Sequence, residues 1–206
     1  MGFYAHQIFP RVMDWVMAGP RFQEQRQQVL ADVRGDVLEI GFGTGLNLPF
    51  YPKTVSWLTV LDPANLLPDR VVKRLAAASV PVQLMHRSAE VLPFASGRFD
   101  YVVSTWTLCT IPDVLAALRE VRRVLKGAGT FVFLEHGRSD EANIAKWQDR
   151  LDPIQRVIAG GCHLNRRIDA LIEEAGFELT RLDRYVMAGV PRLGADMYRG
   201  TATPKQ

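Results

Sequence analysis

The most constraining feature of the sequence is a turn with glycine at three alternate positions, directly after a short apolar strand. Asp36–Ile40 is predicted to form the buried strand, and Gly41, Gly43 and Gly45 follow it. Glycine lacks a Cβ atom, so it tolerates positive φ angles and lets a ligand approach the backbone closely. Because ligands of open α/β sheets bind beyond the carboxyl ends of the strands, this turn predicts a nucleotide-type ligand at that edge.

Apolar strands alternate with amphipathic helices along the chain, which predicts a mostly parallel sheet covered on both faces. The predicted strands are 36–40, 55–61, 82–85, 99–104, 129–135, 177–185 and about 197–202. The predicted helices are 8–33, broken at Gly19-Pro20, and 66–78, 113–127, 144–158 and 166–175. In the helix at 113–127, Asp113 is the expected N-cap and Gly127 the expected C-terminal stop. Residues 186–196 are too few for a crossover helix, so the last two strands are predicted to pair antiparallel.

The spacing of the glycines separates two kinds of nucleotide ligand. A dinucleotide fingerprint, G-x-G-x-x-G, needs glycine at position 46, where this chain has Leu46. Prolines within residues 49–52 leave little room for a long helix, whose N-terminus would otherwise hold a pyrophosphate. Glu39 precedes the turn, and Asp62, at the end of the next strand, is the carboxylate expected to bind ribose hydroxyls. These features favour a positively charged ligand over a pyrophosphate. The alternative function is that of an NAD-dependent dehydrogenase.

Four blocks of sequence, in this order along the chain, resemble the class I S-adenosylmethionine-dependent methyltransferases. They are EIGFGTG at 39–45, VLDP at 60–63, SAEVLPFASGRFDYVVS at 88–104 and LREVRRVLKGAGTFVFLEHG at 118–137. The resemblance implies an α/β, Rossmann-like doubly wound sheet of seven mostly parallel strands with the last one antiparallel. It also implies S-adenosyl-L-methionine as the cofactor and one domain over 1–206, with a helical lid at 1–33 and a core at 34–206.

The same blocks imply which residues contact the cofactor. They are Glu39, Gly41, Gly43, Gly45, Asp62, Pro63, Ala89, Glu90, Thr105 and Trp106. By the resemblance, the glycines wrap the methionine moiety, while Glu39 holds the turn or reaches the amino group through water. Asp62 takes the ribose hydroxyls, and Pro63 and Ala89 contact the adenine. The family often has aspartate before that alanine; here Ser88 stands there, so Glu90 is the candidate for the adenine amine. The last two residues of the set line the methionine side of the pocket.

Further segments are similar to one branch of these enzymes, the thiol S-methyltransferases and bacterial phospholipid and quinone methyltransferase relatives. The segments are FYP at 50–52, STWTLCTIPD at 104–113, WQDRLDPIQRVIAGGCHLNR at 147–166 and MYRG at 197–200. This likeness implies a small, apolar methyl acceptor, with a thiol as first choice. A phospholipid headgroup and a quinone are the alternatives, and a cofactor-binding module without catalysis is the non-enzyme alternative.

The candidates for the acceptor side of the site are His136, Asp152, Cys162 and His163. His136 follows the predicted fifth strand, where its near-neutral pKa suits acid–base chemistry, so it is the predicted catalytic residue. Asp152, before Pro153, is interpreted as a helix cap, and Cys109 as a buried small hydrophobe. The two cysteines and four histidines show no metal-ligand spacing in the sequence, so no metal is predicted.

Charge and composition limit the expected partners and location. The net charge is +3, and the basic cluster at 119–126 has no interleaved aromatic residues, so nucleic-acid binding is not expected. No apolar run approaches the roughly 18 residues of a membrane span. The N-terminal segment carries Arg11 and Asp14 within its apolar pattern, unlike a secretory signal, and a cytoplasmic location is expected. Its apolar face also suggests peripheral membrane contact, while Tyr4 and His6 are expected to cover the cofactor.

Overall fold

The computed structural model describes residues 8–205, which form a seven-stranded sheet flanked by helices. The strands are β1 (Gly35–Ile40), β2 (Val55–Leu61), β3 (Val82–Met85), β4 (Phe99–Thr105), β5 (Leu125–His136), β6 (Phe177–Val186) and β7 (Asp196–Pro204). The helices are α1 (Phe9–Met17), α2 (Pro20–Leu30), α3 (Pro68–Ala76), α4 (Val114–Val124), α5 (Ala142–Ile158) and α6 (Ile168–Glu174). Short 3₁₀ turns occur at Leu48–Phe50 and Arg192–Gly194.

The strand order is β3-β2-β1-β4-β5-β7-β6. Pairs from β3 through β5 are parallel, whereas β7 runs antiparallel to both β5 and β6. The prediction of a doubly wound, mostly parallel sheet with an antiparallel last strand is therefore confirmed. The chain moves outward from β1 to β3 and then returns to place β4 on the other side of β1. This reversal leaves a crevice at the carboxyl ends of β1 and β4.

Two apolar layers, one on each face of the sheet, hold the strands in place. Alternate residues of a strand point to opposite faces, so Leu38 and Ile40 of β1 belong to the layer that contains the apolar face of α4. Val37 belongs to the other layer, with Leu30 of α2 and Tyr51 after the first 3₁₀ turn. The layers fix the carboxyl ends of the central strands relative to each other, and those ends position the site.

The junction between α4 and β5 differs from the prediction. Asp113 caps α4 as predicted, but the helix ends at Val124 and the strand begins at once with Leu125. The N–H of Arg98 donates to the carbonyl of Val124 at 2.8 Å, which satisfies a terminal helix carbonyl without a glycine cap. Gly127 consequently lies inside β5, and its assignment as the stop of the helix is wrong.

The N-terminal helices follow the predicted break. Gly19 is the extended N-cap of α2 and Pro20 its first residue, a position where proline's missing N–H costs no helical hydrogen bond. Tyr4 and His6, predicted to cover the cofactor, lie outside the described residues. No helix described between residues 8 and 205 combines the length and apolar character that crossing a membrane requires.

Candidate functional site

The glycine turn after β1 adopts the backbone conformation that its sequence predicts. Gly41, Gly43 and Gly45 have φ angles of 73°, 58° and 83°, in the region that disfavours residues with a Cβ. A Cβ on Gly41 would lie 2.1 Å from the side chain of Thr107, which follows β4. A Cβ on Gly43 would meet no atom within 4 Å. Gly41 is thus required by packing against the β4 loop, whereas Gly43 presents bare backbone to open space.

Asp62, directly after β2, is hydrogen bonded to this turn. Its Oδ2 accepts from the N–H of Gly43 at 2.7 Å, and its Oδ1 accepts from the N–H of Ala64 at 2.8 Å. Burial raises the pKa of Asp62 above its ordinary value, against the effect of these two hydrogen bonds. Each carboxylate oxygen keeps a further lone pair. The acid predicted to bind ribose is therefore fixed beside the exposed backbone of Gly43.

Glu39 lies fully inside the protein at the end of β1 and stabilises the segment after the turn. Its Oε1 accepts from Asn47 Nδ2 at 2.9 Å, and its Oε2 accepts from the Tyr51 hydroxyl at 2.8 Å. Burial raises the pKa of Glu39 to about 7, and the two hydrogen bonds oppose that rise. Of the two roles that the sequence left open for Glu39, the geometry provides the first, holding the turn.

Asn47 connects the turn to the β4 loop and to α2, and sequence reasoning missed it. Its Nδ2 also donates to Thr105 Oγ1 at 3.0 Å, and its Oδ1 accepts from Arg26 Nε at 3.0 Å. The guanidinium of Arg26 lies 4.8 Å from the centre of the Trp106 ring and donates to the carbonyl of Met17 at 2.7 Å. Burial lowers the pKa of Arg26 to about 10. Because a buried polar network is stable only when its members are satisfied, these bonds tie the predicted residues Thr105 and Trp106 to the turn.

An ion-pair cluster, also missed from the sequence, holds α1 over the glycine turn. The buried carboxylate of Asp14 in α1 accepts from Arg74 at 2.6 Å and also from Arg70 and the Thr44 hydroxyl. Arg74 in addition donates to the carbonyl of Thr44 at 2.9 Å. Burial acts to raise the pKa of Asp14, but the hydrogen bonds from Arg74, Thr44 and Arg70 outweigh it and lower that pKa. The cluster joins α1, the turn and α3.

The residues predicted for the adenine side lie after β2 and β3. Ala89 is buried and Pro63 is exposed. The carboxylate of Glu90 is engaged: Oε2 accepts from the Ser88 hydroxyl at 2.8 Å, and Oε1 accepts from the N–H of Asp113 at 2.8 Å. The glutamate thus connects the β3 loop to the N-terminus of α4. Its contact with the adenine amine stays a prediction.

Two candidate side chains, His136 and Cys162, meet Cys109 at the carboxyl ends of β4 and β5. The Nε2 of His136 lies 3.2 Å from the Sγ of Cys162, and one ligand-type atom from each of the three lies within 4.8 Å of the others. Cys109 is buried, as predicted, but its thiol faces the other two groups. The hydrogen bond with Cys162 holds the pKa of Cys109 well below its ordinary value and raises that of Cys162. Burial acts to lower the pKa of His136, yet the charge of Cys109 keeps it raised.

Glu135, the residue before His136, holds the loop that carries Cys109. Its Oε2 accepts from the N–H groups of Thr107 and Leu108 at 2.8 and 3.1 Å, and its Oε1 accepts from the Ser104 hydroxyl at 2.7 Å. Burial raises the pKa of Glu135 to about 8. With three donors on its carboxylate, Glu135 positions the β4 loop and is not a free base.

Asp152 and Pro153 lie inside α5, so the interpretation of Asp152 as a helix cap is wrong. Its carboxylate instead binds the segment after the helix: Oδ1 accepts from the N–H of Leu164 at 2.8 Å, and Oδ2 lies 3.2 Å from His163 Nδ1. The N–H of His163 donates to the carbonyl of Cys109 at 2.9 Å. Asp152 and His163 therefore fix the segment that presents the Cys162 thiol.

Comparison with known proteins identifies the class. A family model described as a methyltransferase domain matches residues 38–133, a segment that contains the second half of β1, the glycine turn, Asp62 and strands β2 to β4. This match and the relatives described next confirm the resemblance to S-adenosylmethionine-dependent methyltransferases that the sequence blocks indicated.

Individual relatives show which methyltransferases the chain is similar to. The chain is 32% identical to human thiol S-methyltransferase TMT1A over 150 residues, which cover 71% of this chain and 61% of the relative. It is 27% identical to a phosphatidylethanolamine N-methyltransferase of Cereibacter sphaeroides over 147 residues, covering 70% and 71% of the two chains. The chain thus spans less than two thirds of the human protein's length.

A solved structure shares the fold over nearly its whole length. It is a Thermotoga maritima protein described as an S-adenosylmethionine-dependent methyltransferase, possible histamine N-methyltransferase. The TM-score is 0.67 at 20% sequence identity, with 98% of this chain and 99% of that chain covered. At this identity the likeness establishes the fold, and function has to be argued from the site.

Proposed function

We propose that the chain is an S-adenosylmethionine-dependent methyltransferase that methylates the sulfur of a small thiol. The observation that carries the cofactor assignment is the pairing of the Gly43 backbone with Asp62 at the switch point of the sheet. A cradle of bare backbone beside a carboxylate fits a nucleoside with a cationic tail. Leu46, in place of the glycine of a dinucleotide fingerprint, disfavours a pyrophosphate.

The donor side of the site holds and orients the cofactor. In this proposal Gly41, Gly43 and Gly45 surround its methionine moiety, and Asp62 accepts from the ribose hydroxyls. Ala89 and Glu90 lie along the adenine, while Thr105 and Trp106 line the methionine end. S-adenosylmethionine supplies a methyl group that its sulfonium already activates for transfer. The contribution of the protein is therefore alignment of the acceptor and exclusion of water.

The acceptor side supplies the group that acts on the thiol proton. His136 lies at the carboxyl end of β5, and its Nδ1 is buried with no hydrogen-bond partner among residues 8–205. A thiol is a weak nucleophile until it loses its proton, and an imidazole is suited to take it. The thiol as acceptor is also supported by the 32% identity to human thiol S-methyltransferase TMT1A.

Helix α1 is the proposed lid. The Asp14 carboxylate binds Arg74 of α3 and Thr44 of the turn, so closure of α1 depends on the segment that contacts the cofactor. A lid of this kind excludes water during transfer, and lids of this size move on microsecond to millisecond timescales.

A second candidate function is methylation of a lipid headgroup, which an exposed apolar surface favours. Large apolar side chains of α1 and α5 are exposed, and the most exposed are Trp15 (77%), Val157 (83%), Ile154 (57%) and Trp147 (52%). The Cβ position of Gly160, after α5, is 3.7 Å from the Phe9 ring of α1, so the ends of the two helices adjoin. Such a surface suits peripheral contact with a bilayer, and the Cereibacter sphaeroides relative is named for a phospholipid substrate.

One assay separates these functions. The protein is incubated with S-adenosylmethionine and, in parallel, alkyl thiols, phosphatidylethanolamine vesicles and quinols, and S-adenosylhomocysteine release is followed. The proposal expects turnover with alkyl thiols without membranes. Turnover confined to vesicles or quinols would replace the thiol by a lipid acceptor. Tight cofactor binding with no turnover in any arm would indicate a binding module without catalysis.

A further inference from the structure

Cys109, His136 and Cys162 form a cluster of the kind that binds a metal ion, although they are far apart in the sequence. Cys109 lies in the loop after β4, His136 ends β5 and Cys162 follows the Gly160-Gly161 turn after α5. One ligand-type atom from each residue lies within 4.8 Å of the other two. Within the described part of the chain, no other group of three or more histidine, cysteine, aspartate or glutamate side chains is arranged to hold a metal ion.

We propose that these three residues bind one zinc ion. Two thiolates and an imidazole are the ligands that zinc prefers over magnesium and calcium, and two thiolates neutralise its charge. With bond lengths of about 2.3 Å to sulfur and 2.0–2.1 Å to nitrogen, a tetrahedral site has ligand–ligand distances of about 3.5–3.8 Å. The 3.2 Å between His136 Nε2 and Cys162 Sγ is close to that spacing. The ligand atom of the third residue, Cys109, lies within 4.8 Å of the other two, so it has to move closer to reach the same separation.

The backbone around the cluster is already fixed, as a metal site requires. Glu135 holds the loop of Cys109 by accepting from Thr107 and Leu108, and the N–H of His163 ties Cys162's segment to the carbonyl of Cys109 at 2.9 Å. These bonds join the three ligand-bearing segments before any ion is bound.

The glycines before Cys162 give that segment its direction. Gly160 and Gly161 have φ angles of 61° and 93°, conformations that residues with a Cβ rarely adopt. The consecutive left-handed residues turn the chain sharply after α5 and return it towards the β4 loop, where the N–H of His163 meets the Cys109 carbonyl.

Three protein ligands leave the fourth position of a tetrahedral zinc ion free, the arrangement of catalytic rather than structural zinc sites. When Nε2 of His136 binds the ion, its Nδ1 carries the ring proton. That atom is buried and has no hydrogen-bond partner within residues 8–205, so its partner in the zinc-bound protein would have to be a bound water or ligand. Metal-bound histidines normally use their second nitrogen in this way.

The free position suits a thiol, and this use of the site rests on the proposed function. A thiol bound to zinc gives its proton to solvent and remains as a thiolate. Its lone pair then forms the new sulfur–carbon bond, while the electrons of the breaking bond go to the sulfonium sulfur and yield a neutral thioether. Charge and atoms balance with one proton released per transfer. In the zinc-bound protein His136 acts as a ligand, and the metal takes over deprotonation of the acceptor.

Metal content tests the site independently of turnover. The reduced protein is loaded with zinc, separated from loose ions and analysed by elemental mass spectrometry. The expected content is about one zinc ion per chain. Cys162→Ser and His136→Gln should bind zinc at least about tenfold more weakly. His86→Gln, which removes an exposed imidazole outside the cluster, should keep full zinc content and is the matched control.

Cobalt substitution provides the second readout, because thiolate ligands give Co²⁺ a charge-transfer absorption in the near ultraviolet. That band should appear in the parent protein and in His86→Gln, and weaken in Cys162→Ser. Circular dichroism confirms that each variant is folded; Cys162 is only partly buried, so its serine variant is the main one. Zinc content well below one per chain in the reduced parent, or equal content in Cys162→Ser, would overturn the proposal.

The outcomes separate this site from the proposed function. Thiol methylation by a protein that binds no zinc would overturn the zinc site and leave the function standing. Stoichiometric zinc bound by Cys109, His136 and Cys162 without methylation of any thiol would keep the site and overturn the function.

Discussion

The donor and acceptor sides of the site are built in different ways. The donor side rests on backbone: three left-handed glycines within one short turn and a carboxylate bonded to Gly43. The acceptor side rests on side chains from three separate segments, with Cys109, His136 and Cys162 brought together by Glu135 and Asp152. A turn of glycines fits a cofactor common to many enzymes, whereas a thiol–imidazole cluster fits a narrow class of acceptor.

The contrast teaches where specificity lies in this chain. In the proposed site, backbone N–H groups and one acid recognise features that every S-adenosylmethionine molecule carries. With the proposed zinc ion bound, the sulfur and imidazole ligands would favour a soft acceptor such as a thiol over harder oxygen and nitrogen nucleophiles. Changes on the donor side should alter cofactor affinity, and changes on the acceptor side should alter turnover.

The largest expected effect is a difference in stability between alanine variants of two glycines in the same turn. Gly41→Ala places a Cβ 2.1 Å from the Thr107 side chain at φ 73°, and we expect a loss of about 2–5 kcal/mol in the free energy of unfolding. Gly43→Ala meets no protein atom within 4 Å and should lose only about 1–2 kcal/mol. It should nevertheless weaken S-adenosylhomocysteine binding about tenfold or more, since its methyl group would enter the cofactor's space. Urea unfolding and calorimetry measure the two effects; equal unfolding losses would contradict the packing argument.

A change on the acceptor side should reduce turnover without affecting the cofactor. His136→Gln removes the imidazole at the end of β5, and we expect a fall in kcat of about a hundredfold. Affinity for S-adenosylhomocysteine should stay within about twofold, because no donor-side hydrogen bond involves His136 among the described residues. Steady-state kinetics from pH 6 to 9 provide the test (chosen to span the ordinary pKa of histidine). Unchanged turnover at every pH would remove His136 from the mechanism.

A smaller effect is expected where α1 meets the turn. Asp14→Asn removes the charge that binds Arg70 and Arg74, both partly exposed to solvent. Because solvent screens such pairs, we expect only about a two- to fivefold loss of cofactor affinity. Faster hydrogen exchange should be confined to α1. Asp149→Asn, which breaks the ion pair between Asp149 of α5 and Arg138, is the matched control. It should leave cofactor affinity and the hydrogen exchange of α1 unchanged. Similar losses in the two variants would contradict a specific role for α1.

The last prediction concerns the dependence of stability on pH. The pKa of Glu39 is raised to about 7 by burial, whereas glutamate in an unfolded chain titrates near 4.5. Between these values the folded protein holds a proton that the unfolded chain releases, so stability falls as pH rises through the interval. Glu135, with its pKa raised to about 8, acts in the same direction.

Urea midpoints at pH 5 and pH 8 measure this slope, a window set by the ordinary and raised pKa values of glutamate. Glu39→Gln should flatten it. Glu120→Gln is the control, because the Arg123 hydrogen bond lowers the pKa of Glu120. The contribution of Glu120 to stability is lost only below about pH 4.5, so this variant should keep the slope of the parent protein between pH 5 and pH 8. A slope in Glu39→Gln as steep as in the parent protein would exclude a raised pKa for Glu39.

Local patterns predicted most of the fold and the donor side. Strand and helix periodicity gave the alternation of elements, and the structure brings the predicted glycine turn and Asp62 together through the Gly43 hydrogen bond. Gly127 was assigned wrongly because a terminal carbonyl of α4 is satisfied by Arg98, which is distant in sequence. Asp152 was assigned wrongly because proline usually begins a helix, whereas here it lies within one.

Side-chain networks between distant segments were beyond the reach of sequence reasoning. Arg26 and Asn47 are 21 residues apart, and Asp14 and Thr44 are 30 apart, with no local pattern linking them. The same holds for the thiol–imidazole cluster. Its members had no metal-ligand spacing in the chain, and only the return of the segment after α5 to the β4 loop unites them.

The most direct test of the division between the two sides is one calorimetric comparison of S-adenosylhomocysteine binding. Asp62→Asn keeps the shape of the side chain but removes the charge that pairs with Gly43, and should weaken binding at least about tenfold (about 1.5–3 kcal/mol). His136→Gln should bind as the parent protein does. Unchanged affinity in Asp62→Asn, or an equal loss in both variants, would contradict a donor side separate from the acceptor side.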